Sequence, residues 1–259
     1  MATDPLPELL APFLSAPARA GVFTDFDGTI SAVVRDPAAA MPLPGALEVL
    51  ARLAARYARV AVVSGRPAAF LVDRLGRPPG LVLRGLYGIE CADAGGDGIV
   101  TLGDLDRWRP TVEDAARAAE AVMPAGAIVE RKGVSVTLHY RTAPEAGPEV
   151  CALADALAPR FGLEVHAGRM AVELMPPVRI DKGTTIAELA GGLDAVCFMG
   201  DDRGDIPAFQ VLDGLAAHGI ATLKVVVRTV EAPPELLVLG DVLADGPADA
   251  LRILERLAA

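Results

Sequence analysis

The nine residues from Val22 to Ile30 run an apolar stretch straight into Thr24-Asp25-Phe26-Asp27-Gly28. Gly21 to Phe23 reads as a short buried strand, and Gly28 breaks it. Side chains alternate along a strand, so Asp25 and Asp27 would share a face if the strand continued, with Phe26 pointing away. Open α/β sheets bind ligands beyond the carboxyl ends of their strands. Two uncompensated carboxylates in such a place are costly unless a cation or a substrate uses them. Asp-Gly is also a common turn pair, and taken alone it favours a plain turn. The rest of the chain reverses that reading.

Strands and helices alternate around this segment. Val22–Phe26 reads as a strand, Gly45–Tyr57 as a helix with Ala46, Leu47, Val49, Leu50, Leu53 and Ala54 on its apolar face, and Arg59–Val63 as a strand ending at Ser64-Gly65-Arg66-Pro67. A short helix at Ala68–Leu75 and a strand at Leu81–Arg84 follow. This β-α-β-α-β order implies a parallel sheet with right-handed crossovers. Near residue 105 the pattern changes. A helix at Pro110–Met123, strands at Ala127–Arg131 and Val134–Tyr140, a helix at Pro148–Phe161, and strands at Leu163–His166 and Met170–Leu174 state an α-β-β unit twice. Two helices on one face of a small antiparallel sheet form a compact module. The first rhythm then resumes with Lys182–Ala190, Ala195–Met199, Arg203–Leu212, Thr222–Val227 and Ala248–Leu257. The expected fold is α/β: a doubly wound, Rossmann-like parallel-sheet core from residues 1–104 and 178–259, interrupted by an inserted α+β cap domain at 105–177.

Hydrophobic residues make up 52% of the 259, but aromatics only 4%, so aliphatic and alanine side chains must do the packing. A net charge of −10 argues against a nucleic-acid partner, whose phosphates need a basic surface. It leaves room for a small phosphorylated substrate, because a bound metal ion can invert the field locally. Cys91, Cys151 and Cys197 show no CxxC pairing and no zinc spacing. They read as small buried thiols in a reducing compartment. The run Leu9-Leu10-Ala11-Pro12-Phe13-Leu14 is too short for a signal or membrane segment and contains proline. A soluble, cytoplasmic monomer with no membrane partner is expected.

Polar groups follow apolar strands, or open a helix, at four places. Asp25 and Asp27 follow the first strand, and Ser64 follows Val60-Ala61-Val62-Val63. Lys182 opens a helix in Arg179-Ile180-Asp181-Lys182-Gly183, and Asp201, Asp202 and Asp205 follow Val196-Cys197-Phe198-Met199-Gly200. In a parallel sheet such ends lie on one edge, so separation in sequence is no obstacle. A carboxylate there can act as a nucleophile that takes a phosphoryl group, and a hard cation such as Mg²⁺ needs oxygen ligands. Each signal has a plainer reading by itself: a turn at Ser64-Gly65, a solvated Lys182, acids favoured at a helix start by the dipole. Their joint order is what points to one site.

In that order, D-F-D-G-T, V-V-S-G-R, the lysine of R-I-D-K-G and G-D-D-R-G-D, the chain resembles the haloacid dehalogenase superfamily of phosphotransferases. Within it the chain is similar to trehalose-6-phosphate phosphatases. The stretch Asp25 to Pro42, Gly85-Leu86-Tyr87-Gly88-Ile89-Glu90, Val129–Arg141 and Gly168–Leu174 carry that likeness. It departs from the usual pattern at Gly204, Ile206 and Pro207, where Thr and then Glu-Asp are common, at Arg169, where Lys is usual, and at Met175, where a basic residue is common. The resemblance implies that Asp25 attacks phosphorus and carries a phospho-aspartate, while Asp27 protonates the leaving sugar oxygen and then deprotonates water. It implies Mg²⁺ held by Asp25, the backbone carbonyl of Asp27 and Asp201, with Asp202 or Asp205 in support. Lys182 and Ser64 would donate to the phosphoryl oxygens, with Arg66 a further candidate. The cap would close over the core and present Lys132, His139, Arg141, Arg169 and Glu173 to sugar hydroxyls, though His139 and Arg141 also suit a structural role in the cap sheet. Other readings are a phosphatase for another sugar or polyol phosphate, a mutase, and a catalytically silent sugar-phosphate-binding regulatory protein.

Overall fold

Aliphatic runs of five or six residues are too short to make stable helices and too apolar to face water. They can be buried on both faces by stacking in parallel between helices. The computed structural model describes residues 5–34, 36–92, 98–101, 105–168, 170–230 and 232–259, and the chain divides into two units, 1–100 with 180–259, and 101–179. The first unit opens with α1 (Leu6–Ser15), β1 (Ala20–Thr24), α2 (Ala46–Arg56), β2 (Arg59–Val63), α3 (Ala68–Leu75), β3 (Leu81–Gly85) and β4 (Glu90–Ala92), and β5 (Val100–Thr101) straddles the division. The second holds α4 (Arg109–Glu120), β6 (Ile128–Arg131), β7 (Val136–His139), α5 (Gly147–Phe161), β8 (Glu164–Gly168) and β9 (Ala171–Met175). The first is completed by α6 (Lys182–Leu189), β10 (Ala195–Gly200), α7 (Ile206–Ala217), β11 (Ala221–Val227), α8 (Pro234–Leu237), β12 (Val242–Ala244) and α9 (Pro247–Leu257).

The large sheet runs in the order β12-β11-β10-β1-β2-β3-β4-β5. β1 is parallel to both β10 and β2, and β4 pairs antiparallel with β3. The chain therefore builds outward from β1 in one direction, then returns to its other side at β10. That makes β1 a topological switch point, the place where open α/β sheets leave a crevice at their carboxyl edge. Adjacent residues of β1 face different cores. Val22 packs with Val60, Val62, Met199 and Val225 against Phe13 of α1, Leu50 and Leu53 of α2 and Leu254 of α9. Phe23 packs with Ala61, Val63 and Phe198 against Ile186 of α6 and Phe209 and Leu212 of α7.

In the second unit a four-stranded sheet, β6-β7-β9-β8, is antiparallel throughout. Val136, Leu138, Val172 and Leu174 pack on Val112, Ala115 and Ala119 of α4 and on Val150, Ala154 and Leu157 of α5. Alternation sends Thr137, His139 and Glu173 to the opposite face.

The strand Arg59–Val63 and the helix Ala68–Leu75 have the limits expected from sequence. Three differences have physical causes. The first strand stops at Thr24, not Phe26, because the chain turns there: the Phe26 carbonyl accepts the N–H groups of Ile30 and Ser31 at 3.0 and 2.9 Å. The helix read over Arg203–Leu212 splits into a 3-10 turn, Arg203–Asp205, and α7, because Asp202 caps the turn and Pro207 occupies the first turn of α7, where no N–H is needed. α1 was not expected at all. Pro12 lies inside it, yet Leu10 and Phe13 are buried, and their burial outweighs the proline's cost. Among the described residues no helix is long and apolar enough to cross a membrane.

Phe209 is fully buried and meets Phe198 edge-on with centroids 5.3 Å apart. Phe209→Ala is expected to cost about 3–5 kcal/mol in urea unfolding. Val238→Ala, at a position 81% exposed, is expected to stay within about 0.5 kcal/mol.

Candidate active site

The acid loop after β1 is hung from its neighbour strand: Asp25 N–H donates to the Met199 carbonyl at 2.9 Å. Gly28 takes φ +72, and a Cβ there would lie 2.0 Å from an Asp201 carboxylate oxygen. Position 28 must therefore be glycine for the loop after β1 to meet the loop after β10. Gly200 is constrained likewise, since a Cβ on it would lie 2.3 Å from Cγ of Asp205.

Lys182 is the first residue of α6, whose start is fixed by a capping box between Asp181 and Thr184. A cation at a helix N-terminus opposes the dipole. Two carboxylates offset this: Nζ of Lys182 lies 2.9 Å from Oδ1 of Asp25 and 2.6 Å from Oδ1 of Asp205, all three groups buried. Burial by itself would lower the pKa of this ammonium, but the charges of Asp205 and Asp25 outweigh it and hold the group well above its ordinary value. Oδ2 of Asp205 accepts the backbone N–H groups of Asp201 and Asp202 at 2.9 and 3.0 Å. Asp205 thus ties the loop after β10 to the lysine. Asp201, also buried, accepts a hydrogen bond from Thr229 Oγ1 at 3.0 Å.

Carboxylate oxygens of Asp25, Asp201 and Asp205 lie within 4.8 Å of one another. Burial pushes all three up: Asp25 well above the carboxylate range, Asp201 to about 10 and Asp205 to about 6, with the neighbouring acids adding to the shift. Lys182 lowers each of them but is one charge against three. An all-oxygen, net-negative, dehydrated donor set of this kind suits a hard divalent cation. The side chains of two further acids named from the sequence are engaged with other partners. Oδ1 of Asp202 accepts the Gly204 N–H at 2.8 Å and so caps the turn. The Asp27 carboxylate takes Nε and Nη2 of Arg66 at 2.7 and 2.9 Å. Arg66, expected on the phosphoryl group, is thereby turned onto Asp27. Ser64 is buried at the end of β2, and its Oγ accepts the Arg66 N–H at 3.2 Å.

In the second unit Lys132 and Glu173 are buried together, with Nζ 3.4 Å from Oε1 of Glu173 and Ser135 Oγ donating to the same oxygen at 2.6 Å. His139 Nε2 lies 2.7 Å from Glu130, a cross-strand neighbour on β6. Arg141 follows β7 and is half-buried. Arg169 lies outside the described residues. Met175, at the end of β9, is 1% exposed and apolar, so that position offers no charge. Sequence reasoning missed Thr229, Ser135 and Thr137. Thr137 pairs across the sheet with Glu173, and its buried hydroxyl has no hydrogen-bond partner among the described residues. Alternation on a strand containing His139 was the signal for it; Thr229 and Ser135 left none.

Comparison with known proteins places these features in a family. The trehalose-phosphatase family profile matches residues 23–235. Trehalose-phosphate phosphatase from Mycobacterium tuberculosis is 36% identical over 252 residues, covering 92% of this chain, which spans 61% of that relative's length. The C-terminal domain of C. albicans trehalose-6-phosphate phosphatase superposes with a TM-score of 0.79 at 24% identity, over 98% of this chain and 96% of that one. Trehalose-6-phosphate phosphatase of Aspergillus fumigatus does so at 0.65 and 28%, over 98% and 97%.

The crowded carboxylates make the metal-free fold pH-sensitive. Asp201, raised from its ordinary 3.8 to about 10, keeps its proton in the folded chain where the unfolded chain has lost it. The contribution of Asp201 to stability is therefore full below 3.8 and is lost as pH rises toward 10. A divalent cation at ~100 times its Kd is expected to raise Tm by about 5–10 °C at pH 8, and by less at pH 5. Asp201→Asn is expected to raise the metal-free Tm at pH 8 and remove most of the cation's effect. Differential scanning calorimetry in chelator and in Mg²⁺ checks both.

Proposed function

The chain belongs to the trehalose-phosphatase family, and from that premise we propose that it hydrolyses trehalose 6-phosphate to trehalose and phosphate through Asp25. The observation that carries this reading is the buried Asp25 at the switch point of the sheet, 2.9 Å from Lys182 and beside two further buried acids. Few roles other than phosphoryl chemistry account for a buried nucleophile, a buried ammonium and a cation-fitting donor set in one place.

Asp25 attacks phosphorus and carries the phosphoryl group as an aspartyl ester. Asp27 gives a proton to the departing sugar oxygen, then takes one from the water that cleaves the ester. Lys182 and Ser64 donate to phosphoryl oxygens, whose charge is the main thing the site must stabilise. We assign Mg²⁺ to Asp25, Asp201 and the backbone carbonyl of Asp27, with Asp205, which ties the loop after β10, in support; when bound it would neutralise charge between nucleophile and phosphate. Asp202 acts through the turn it caps. Recognition of the sugar is assigned to the second unit: Lys132, Glu173, His139 and Arg141, with Arg169 as a further contributor. A shared face for Thr137, His139 and Glu173, opposite the helices, supports that assignment.

A panel of trehalose 6-phosphate, sucrose 6-phosphate and glucose 6-phosphate, with Mg²⁺ and with chelator, tests the substrate. Release of phosphate from trehalose 6-phosphate, abolished by chelation and restored by Mg²⁺, is the expected result. Preference for another sugar ester would reassign the substrate and leave the chemistry. Asp25→Asn keeps the shape of the site and removes its nucleophile, and kcat is expected to fall by about 10⁴-fold or more. Turnover within a few-fold of wild type would end the covalent reading.

Glu173→Ala and Lys132→Ala remove buried polar groups that a site built for hydroxyls relies on. Each is expected to lower kcat/KM for trehalose 6-phosphate by about 10²-fold or more. p-Nitrophenyl phosphate, which needs no sugar contacts, should lose far less. Equal losses on both substrates in a folded variant would take these residues out of sugar recognition.

A further inference from the structure

Asp27 stands two residues beyond Asp25, yet its carboxylate stays outside the group around Lys182. Both its oxygens are taken by the fork of Arg66, at 2.7 and 2.9 Å, and the Asp27 side chain remains one-third exposed. Such a bidentate pair fixes the direction of a carboxylate as well as its position. Arg66 is itself braced. Its guanidinium carbon lies 4.7 Å from the ring centroid of Phe70, and Phe70 meets Phe26 edge-on at 5.8 Å and 84°. Phe26, fully buried, is the residue between the two acids. Arg74 lies 4.9 Å from the same Phe70 ring and donates to the carbonyls of Ala40 and Ala38. The backbone of Arg66 is also tied, through its N–H to Ser64 Oγ and its carbonyl to the Leu86 N–H at 2.8 Å. The contacts close a ring: Asp27, Arg66, Phe70, Phe26 and back along the chain to Asp27.

We propose that Arg66, braced on Phe70, is the positioning residue for Asp27 and not a ligand of the phosphoryl group. This rests on the hydrolytic reading above and deepens it. In the first step the Asp25–phosphorus bond forms and the phosphorus–sugar oxygen bond breaks, and the Asp27 proton goes to that oxygen. In the second, water oxygen bonds to phosphorus and the phosphorus–Asp25 bond breaks, and the water's proton goes to Asp27. Between the two steps Asp27 is a carboxylate, the form that a guanidinium fork grips. The fork holds it aimed at the place where the sugar leaves and the water enters.

The test compares leaving groups. A sugar oxygen needs its proton; p-nitrophenolate does not, but the water of the second step needs a base with either substrate. Arg66→Lys keeps the charge and loses the fork. It is expected to lower kcat on the sugar phosphate by about 10²-fold with KM little changed. On p-nitrophenyl phosphate, stopped flow is expected to show a burst approaching one nitrophenolate per enzyme, followed by slow turnover, because Asp25 is still phosphorylated but its ester is cleaved slowly. Phe70→Leu keeps the arginine and loses its brace, and the same split is expected, smaller. If Arg66→Lys fails to fold, the Phe70 variant decides. Raised KM on both substrates and weaker inhibition by inorganic phosphate, with kcat retained, would make Arg66 a phosphoryl ligand and overturn the proposal. Unchanged turnover with no burst would overturn it equally. A wild-type enzyme that splits p-nitrophenyl phosphate but no sugar phosphate would refute the substrate reading, and the burst would still decide the role of Arg66.

Discussion

A buried ammonium shared by two buried carboxylates is the interaction on which the first unit's site depends. Lys182 reaches Asp25 on one side and Asp205 on the other, at 2.9 and 2.6 Å. Buried ion pairs contribute little net stability, because desolvation consumes most of the attraction, but losing one partner leaves a stranded charge. The arrangement therefore acts as a constraint: α6, the loop after β1 and the loop after β10 can sit together only with these three groups in register. With Asp201 beside them, three acids face one lysine. That deficit of positive charge is one a divalent cation would complete.

Topology brings the loops close, and glycine lets them touch. β1 lies between β10 and β2, so the residues after all three strands emerge side by side. The approach is then tight enough that Gly28 has no room for a Cβ against Asp201, and Gly200 has none against Asp205 of its own loop. Asp205 converts that proximity into order by taking two backbone N–H groups and the ammonium at once. Asp205 is thus both a member of the cation-fitting group of carboxylates and the tie that orders their surroundings. Asp202 makes the same point at smaller scale, spending its side chain on the turn that brings Asp205 round.

The second unit handles polarity differently. Its helices cover one face of a four-stranded sheet with a small aliphatic core. Glu173, Lys132 and Ser135 form a buried hydrogen-bonded set, and Thr137 lies across from Glu173 with its hydroxyl unmet among the described residues. Buried hydroxyls without partners are uncommon, and each asks for an explanation. A ligand rich in hydroxyls is one that this set could satisfy. Departures such as Met175, buried and apolar, alter the charge available here and leave the sheet intact.

By itself the sequence determined the alternation of strands and helices, the α/β class, and the acids, serine and lysine that end strands or open helices. These are local properties: apolar periodicity and the residue that breaks it are written within a few positions of each other, which is why Arg59–Val63 and Ala68–Leu75 were legible to the residue. Pro12 hid α1 because the helix is held by burial of Leu10 and Phe13, a gain made only against distant strands. Only the tertiary structure decided which carboxylates meet. Asp25, Asp201 and Asp205 converge, Asp202 caps its own turn, and Asp27 turns to Arg66. The same residue type takes three roles within one edge of a sheet, because a charge is assigned by which partners lie within about 3 Å of it in a desolvated place, and that distance is set by packing, not by spacing along the chain.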